Sequence, residues 1–538
     1  MEARLSILGA MTAQTRERRA DVVIVGAGSG GCVAARRLLD AGLQVLLLEA
    51  GGRDTHPFIR APAGFPRLFR SAVDWNFQTV PQACADGRRF YWPRGKVLGG
   101  SSAINATIYI RGSKRDYDGW GEGWTWEDVL PAFKGLENFR GGTSETRGTH
   151  GELPVGARAA SHPLSEAFVT AAAVALHVPE ATTFNDGTLE GAGLLESNHL
   201  RGERYSAFRA FLKPVLGHPN LTVLTGAQML ELLWDGPRTA GVRFRWQGRT
   251  LDAPAGGVIL AAGAVQTPQL LMLSGVGPRA ELEKHGLQVR QHLPGVGAGL
   301  QDHLAVPVIF RSHTPSLEAL PEALALARYL RDRSGPLSSN IAEAAAFAHA
   351  RPGLDPQTDE PDLQYHFGPA YFRDHGFSKA AGHHFSVGPV LVDPHSRGRI
   401  TLASADVADA PLIDPQYLSD ERDLQSLITG VRLAREIADT PPLLAHRQGE
   451  ALPGGGIRSD AAIAAHIRAE SATLYHPVGT AALGEGPDSV VDRRLAVHGT
   501  QGLWVADASV MPRIIHANTN ATAMMIGARA AEFVAQGL

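Results

Sequence analysis

The stretch "DVVIVGAGSGGCVAARRLLDAGLQVLLLEAG", residues 21–51, decides the fold. An apolar run leads through a glycine turn into an amphipathic segment, and a second apolar run closes on Glu49. Short apolar runs on either side of a helical period make a βαβ unit. Gly26 permits the tight turn, Gly28 lets a diphosphate approach the backbone at the helix N-terminus, and Gly31 lets helix and strand pack closely. Glu49 stands where a carboxylate can accept hydrogen bonds from a ribose hydroxyl pair. A glycine-rich turn in an ordinary α/β sheet does not need three glycines and a terminal acid to coincide, so the unit reads as dinucleotide-binding. NAD and FAD offer the same ADP half to such a turn, and the motif alone does not separate them.

The rest of the chain must house what that unit binds. At 538 residues it is too long for one simple core. A hydrophobic share of 44% and a charged share of 20% are ordinary for a folded soluble protein. Sixty glycines imply many tight turns and close backbone approaches, as expected where main chain contacts a large ligand. A net charge of -3 gives no basic field for nucleic acid, so none is expected as a partner. Two cysteines, Cys32 and Cys84, supply neither a disulfide framework nor a cysteine metal site, which fits a reducing cytoplasm. The apolar run at 5–11 is too short to span a bilayer and "TRERRA" follows it, so residues 1–20 read as a disordered leader, with Met11 an alternative start.

Two other chemistries fail on spacing. Ser29, Ser101 and Ser102 miss a nucleophile elbow because Ala27, Ala103 and Ile104 stand where glycine is needed. No HExxH is present, and His383 and His384 have no partner at ligand spacing, so no metal is expected.

The segments "GKVLGGSSAIN" at 95–105, "GAVQTPQLLMLSGVG" at 263–277 and "LPGVGAGLQDH" at 293–303 follow in order. With the opening unit, they make the chain resemble the glucose–methanol–choline family of FAD-dependent alcohol oxidoreductases, most closely its bacterial choline-dehydrogenase-like branch, from about residue 20 to the end. The resemblance implies FAD as cofactor, with Ser29 and Ala50 beside the glycines and Glu49. It places Trp75 near the adenine, although a core tryptophan would look the same. Arg94, Val97, Gly100, Asn105, Ala106, Thr107 and Ile108 match the loop along the isoalloxazine and pyrophosphate, where Asn105 would bond the ring. Ile104 occupies the position of the histidine that holds FAD covalently in some members, so non-covalent FAD is expected. Met229 matches a backbone contact to the adenine, and Asp507 and Ala508 match contacts to the ribityl and pyrophosphate portion. Gly299 stands where the family usually has asparagine, and the following Asp302 and His303 read as a fixed hydrogen-bonding corner.

Removing hydride from an alcohol carbon requires that the hydroxyl proton leave too, so a base must reach that oxygen. In "SATLYHPVGTAALG", 471–484, His476 sits beside a restraining Pro477 and a turn at Gly479. A histidine among apolar neighbours is ordinarily structural, but the flavin context makes this one the base. In "LWVADASVMPRIIHANTNATAMMIGARAAEF", 503–533, an alanine-rich helix begins near Asn520, and its N-terminus can face the flavin edge that gains negative charge. By register the family's partner to the histidine falls on Asn520, with Asn518 two residues earlier as the alternative and His516 out of register. Either asparagine could also be a helix cap.

The expected fold class is therefore α/β. A Rossmann-like FAD-binding domain is assembled from discontinuous segments 21–158, 203–306 and 470–538. An α+β substrate domain, an antiparallel sheet with helices, comes from 159–202 and 307–469. The larger insert should supply the helix within "SLEALPEALALARYLRDRSG" and strands carrying Phe347, Tyr365, Phe367 and Phe385, candidates for the pocket lining. The expected activity is oxidation of a small-molecule alcohol to an aldehyde or ketone, with hydride passing to flavin N5 and electrons leaving to oxygen or another acceptor. The other reading is a lyase or fatty-acid photoenzyme on the same fold. The alcohol and the oligomeric state are left open.

Overall fold

The computed structural model describes residues 19–157 and 161–538. The leader expected over 1–20 lies, through residue 18, outside the described residues, and Ala20 already opens the first strand.

The βαβ unit forms as its pattern requires. Strand Ala20–Val25 leads through Gly26 into helix Ser29–Asp40, and strand Val45–Glu49 returns beside it in parallel, Val23 opposite Leu46. The helix buries Val33, Ala34, Leu38 and Leu39 on one stripe, while Arg36 and Asp40 pair on the outer face. Strand Leu221–Thr225 extends the sheet beyond Val45–Glu49. On the other side lie Arg249–Leu260 and then Leu503–Val505. These five strands run parallel and their ends converge at Val25, Glu49, Leu260 and Val505. The crevice beyond the carboxyl ends of such strands is where open α/β sheets bind ligands. The first half of Arg249–Leu260 turns away to pair antiparallel with Arg238–Trp246, which pairs with Ala227–Asp235.

A second, eight-stranded antiparallel sheet roofs the crevice. Its order is Arg447–Leu452, Ile309–Ser312, His384–Leu391, Leu363–Gly368, Ala344–Ala348 and Ala192–Leu194. Helix Glu421–Asp439 covers it, burying Leu424, Leu427, Ile428, Val431 and Ile437 at helical spacing behind an Asp420 cap. Two short strands, Leu304–Ala305 and Ala472–Thr473, join this sheet at its lower edge. They belong to segments that the motif order assigns to the flavin domain, so the two layers are stitched together where the site lies. Helix Glu322–Asp332 ends on Arg333 in the left-handed region (φ 58°), two residues before the expected glycine stop.

Candidate active site

One long cavity runs between the two layers, from the glycine turn at Gly26–Gly30 to His476. Its first end is made of main chain. Gly26 has φ 102°, and a Cβ there would lie 2.4 Å from the Ala261 carbonyl oxygen. Gly31 does not border the cavity; a Cβ would strike the Gly26 carbonyl oxygen at 1.9 Å, so its work is helix–strand packing. Gly28 does border it, and a Cβ would find nothing nearer than the Ala261 oxygen at 3.9 Å. That vacant side-chain space, at the N-terminus of helix Ser29–Asp40, fits a diphosphate. Glu49 is fixed by the Ala27 and Gly51 N–H groups, at 2.9 and 2.7 Å on separate oxygens, and burial pushes its carboxyl up to about 7. Each oxygen keeps a lone pair for a ribose hydroxyl.

The loop after Arg94 closes over this end. Gly99 donates to the Ala27 carbonyl at 2.8 Å, and a Cβ on Gly100 would lie 2.7 Å from Gly28 Cα. Ala50, Trp75, Arg94, Gly100, Asn105, Ala106, Thr107, Ile108 and Met229 all border the cavity. Val97 does not; it is buried with Ile59, Phe65 and Ile104 in an apolar cluster beneath the loop. Asn105 Oδ1 accepts from Thr107 N at 3.0 Å and from the buried Arg204 at 2.7 Å, which orients the amide. Sequence reading gave Arg204 no role, since a lone arginine in a strand-turn segment carries no signal.

Asp507 and Ala508 border the cavity, but the Asp507 carboxylate is occupied. Its oxygens accept from Gly263 N at 2.9 Å, Thr267 Oγ1 at 2.6 Å and Ser509 N at 2.8 Å, which ties down the start of helix Gly263–Leu273.

The second end is made of side chains. His476 is buried in the loop after strand Ala472–Thr473, and its N–H donates to Asp302 Oδ1 at 2.7 Å. Asp302 Oδ2 accepts from the hydroxyls of Thr473, at 2.6 Å, and Tyr417. Gln301 pairs with Val478 through the main chain, while its side chain reaches Pro512 O and Ile514 N. "LQDH" is thus a clamp that holds the histidine loop against the 512–515 loop. The corner expected at Asp302 and His303 exists, and it bears directly on His476: the two Nδ1 atoms are 2.9 Å apart. Burial, then the neighbouring His303 and His366 rings and the Arg94 guanidinium, hold His476 well below the usual histidine range. It is therefore neutral at physiological pH.

The two asparagines divide differently from the register expectation. Asn518 Nδ2 lies 3.3 Å from His476 Nε2. Asn520, first residue of helix Asn520–Gly537, turns its Oδ1 to accept from Ser29 Oγ at 2.7 Å. Two helix N-termini meet at that bond, and Gly30 and Gly527 allow the close approach: a Cβ on Gly527 would sit 2.4 Å from Gly30 O. The geometry moves the pairing with histidine from Asn520 to Asn518 because helix geometry begins only after Thr519 and the preceding loop is what faces His476. His516 turns away, bonded through Nδ1 to Asp116 at 2.5 Å. Burial opposes its charge, but the Asp116 and Asp393 carboxylates outweigh burial and raise its affinity for a proton.

The wall beside His476 is aromatic. Phe65, Phe69, Phe372, His375 and Tyr475 border the cavity, with Phe69 and Tyr475 ring centroids 5.5 Å apart. Of the four aromatics expected from the insert, Phe367 borders the cavity; Phe347, Tyr365 and Phe385 pack into the cores.

Family profiles of the GMC oxidoreductases match residues 20–305 and 394–527. The chain belongs to the GMC oxidoreductase family. It is 44% identical over 532 residues to an alcohol dehydrogenase [acceptor] of Pseudomonas putida, covering 96% of this chain and 95% of that protein. It is 39% identical over 534 residues to an oxygen-dependent choline dehydrogenase of Brucella anthropi, with the same coverage. Among solved structures, pyridoxine 4-oxidase from "Mesorbium loti" superposes with a TM-score of 0.88 at 31% identity, covering 96% of this chain and 99% of that one. A formate oxidase variant of Aspergillus oryzae gives 0.90 at 28%, covering 96% and 98%. This GMC oxidoreductase is an FAD-dependent enzyme that oxidises the CH–OH group of an alcohol, and the lyase or photoenzyme reading is not favoured. It acts on a small molecule and hands electrons to an acceptor. Among the described residues no helix is long and apolar enough to cross a membrane.

Proposed function

We propose that His476 is the base that takes the alcohol proton and that Asn518 holds the alcohol oxygen beside it. FAD, when bound, supplies the two-electron acceptor for the hydride. His476 is neutral, so its Nε2 has a lone pair for the hydroxyl proton. The Asn518 amide donates to the oxygen as it gains negative charge, without competing for the proton. The alcohol thus loses a proton to His476 and a hydride from its carbon, and leaves as a carbonyl. The observation that carries this reading is the approach of Asn518 Nδ2 to His476 Nε2 at 3.3 Å on the cavity wall. Ile104, where covalent members have histidine, supports dissociable FAD. The unpaired Cys32 and Cys84 support a reducing cytoplasm as the working compartment.

The test is His476→Ala. Anaerobic flavin reduction by a good alcohol, drawn from a panel of aliphatic, aryl, sugar and amino alcohols, slows by at least ~10²-fold. A variant that keeps FAD and reduces at wild-type speed removes the mechanism. Reoxidation measured in air and with an artificial acceptor assigns the electron acceptor.

A further inference from the structure

A neutral imidazole carries one N–H, and only one of its two nitrogens can accept a proton at a time. For His476 to work through Nε2, its own proton must reside on Nδ1. That atom faces His303 Nδ1 at 2.9 Å in a pair of rings set 83° apart. A single proton lies between the two Nδ1 atoms, so two arrangements compete. In the first, His476 donates from Nδ1, and His303 carries its own proton on Nε2. In the second, His303 donates from Nδ1, and His476 is left with a proton on Nε2 and no lone pair for the alcohol.

The surroundings select between them. His303 is fully buried. Its Nε2 makes no side-chain or main-chain bond of full geometry, yet the carbonyls of Val392 and Ile515 act on the ring in the sense that favours a proton there. A bare Nε2 lone pair turned on carbonyl oxygens is repelled; an N–H is not. On the other side, the Asn518 amide donates toward His476 Nε2, which requires a lone pair on that atom. Both ends thus favour the first arrangement. A second proton on His303 is opposed by burial and by the neighbouring His516, so the pair does not escape the choice by becoming charged at rest.

We propose that His303 is a positioning residue that fixes His476 as the Nδ1–H tautomer, keeping Nε2 free to receive the alcohol proton and accepting a hydrogen bond from the imidazolium that results. The assignment rests on the reading of His476 as the base. No carboxylate performs this task, because Asp302 bonds the His476 main chain and not its ring. The acceptor is a neutral imidazole, so it holds the tautomer without placing a negative charge beside the reacting alcohol.

The test compares His303→Leu, which has no acceptor, with His303→Asn, whose Oδ1 can stand where Nδ1 stood. With FAD content equal to wild type, His303→Leu lowers the limiting rate of anaerobic flavin reduction by about ten- to a hundredfold, the range for a hydrogen bond to a charged group. Alcohol affinity from the same titration changes little, and His303→Asn recovers to within about threefold of wild type. A His303→Leu enzyme within twofold of wild type overturns the proposal. So does a His303→Asn enzyme as slow as His303→Leu. If the leucine variant fails to fold, neutron diffraction from the unmodified holoenzyme decides: deuterium on His476 Nδ1 and His303 Nε2 supports the assignment, and deuterium on His303 Nδ1 overturns it. A His476→Ala enzyme at wild-type speed sinks the base reading itself. A slow His476→Ala with a fast His303→Leu sinks only the tautomer assignment.

Discussion

The two ends of the cavity are built from different material. At the nucleotide end, Gly26, Gly28 and Gly100 present main chain, and the one ionisable side chain, Glu49, is immobilised by backbone N–H groups. At the reaction end, His476, His303, Asn518 and Asp302 are buried side chains bonded to one another across segments far apart in the chain. The first end recognises a shape common to many ligands, which backbone can do. The second must hold one lone pair in one direction, which needs side chains whose tautomers and rotamers are set by neighbours.

That difference can be broken from the nucleotide side first. Gly26→Val adds a β-branched side chain at φ 102° and brings Cβ to 2.4 Å from a main-chain oxygen that cannot withdraw. The expected cost is about 3 kcal/mol or more, and the purified variant should lose its flavin absorbance. A yellow variant with wild-type flavin content would mean that the turn does not form the cofactor wall.

The ends also respond to acid with opposite sign. Burial lowers His303 to about 3, and His366 and His375 to about 4, so the folded protein refuses protons that the unfolded chain takes up below about 6.5. Stability from these groups is present above 6.5 and is lost as pH falls; by pH 5 each costs about 2 kcal/mol. Glu49, raised to about 7 by burial, and Asp302, raised to about 6, act the other way, since the folded state binds their protons first. Stabilisation from them grows as pH falls toward the ordinary carboxylate range and offsets part of the histidine loss. The net expectation is a fall on the order of 2 kcal/mol between pH 6.5 and 5, read from the midpoint of urea unfolding. A rise over that interval would mean that the imidazoles are not held neutral.

The same contrast explains what the sequence made legible. Glycine has few reasons to recur at 26, 28 and 31 after an apolar strand, so the βαβ unit and its ligand class could be read from local spacing. The five parallel strands follow the expected order, and the insert strands carrying "AEAAAFAHA" and "DLQYHFGPAYF" form where alternation places them. His476 was reachable because Pro477 and Gly479 flag a constrained loop. The choice between Asn518 and Asn520 was not, since it depends on whether the helix starts at one residue or the other, and boundaries are the least determined feature of a local pattern. His303 was harder still. Nothing in "LQDH" says which distant loop its ring meets, and the strand pair Leu304–Ala305 with Ala472–Thr473 that brings it to His476 is only two residues long.

Two substitutions at the junction between the ends sharpen the boundary. Asn518→Ala removes the only side-chain donor placed against His476 Nε2 among the described hydrogen bonds, so flavin reduction should slow by about tenfold with FAD retained, the lower range for one donor to a developing charge. Asn520→Ala, two residues on, should leave that rate within about threefold of wild type, because its oxygen serves Ser29.

The smallest expected effect is the most diagnostic for Asn520. Its bond to Ser29 Oγ joins the first turns of helices Ser29–Asp40 and Asn520–Gly537, whose backbones touch at Gly30 and Gly527. A neutral hydrogen bond of this kind contributes about 1 kcal/mol. Ser29→Ala and Asn520→Ala should each destabilise the protein by about that amount, and the double variant by no more than either alone, since each single change already breaks the bond. Additive losses in the double-mutant cycle would mean that the two side chains act separately. Asn520 would then be free to face the cavity, and the division of labour between the two asparagines would have to be redrawn.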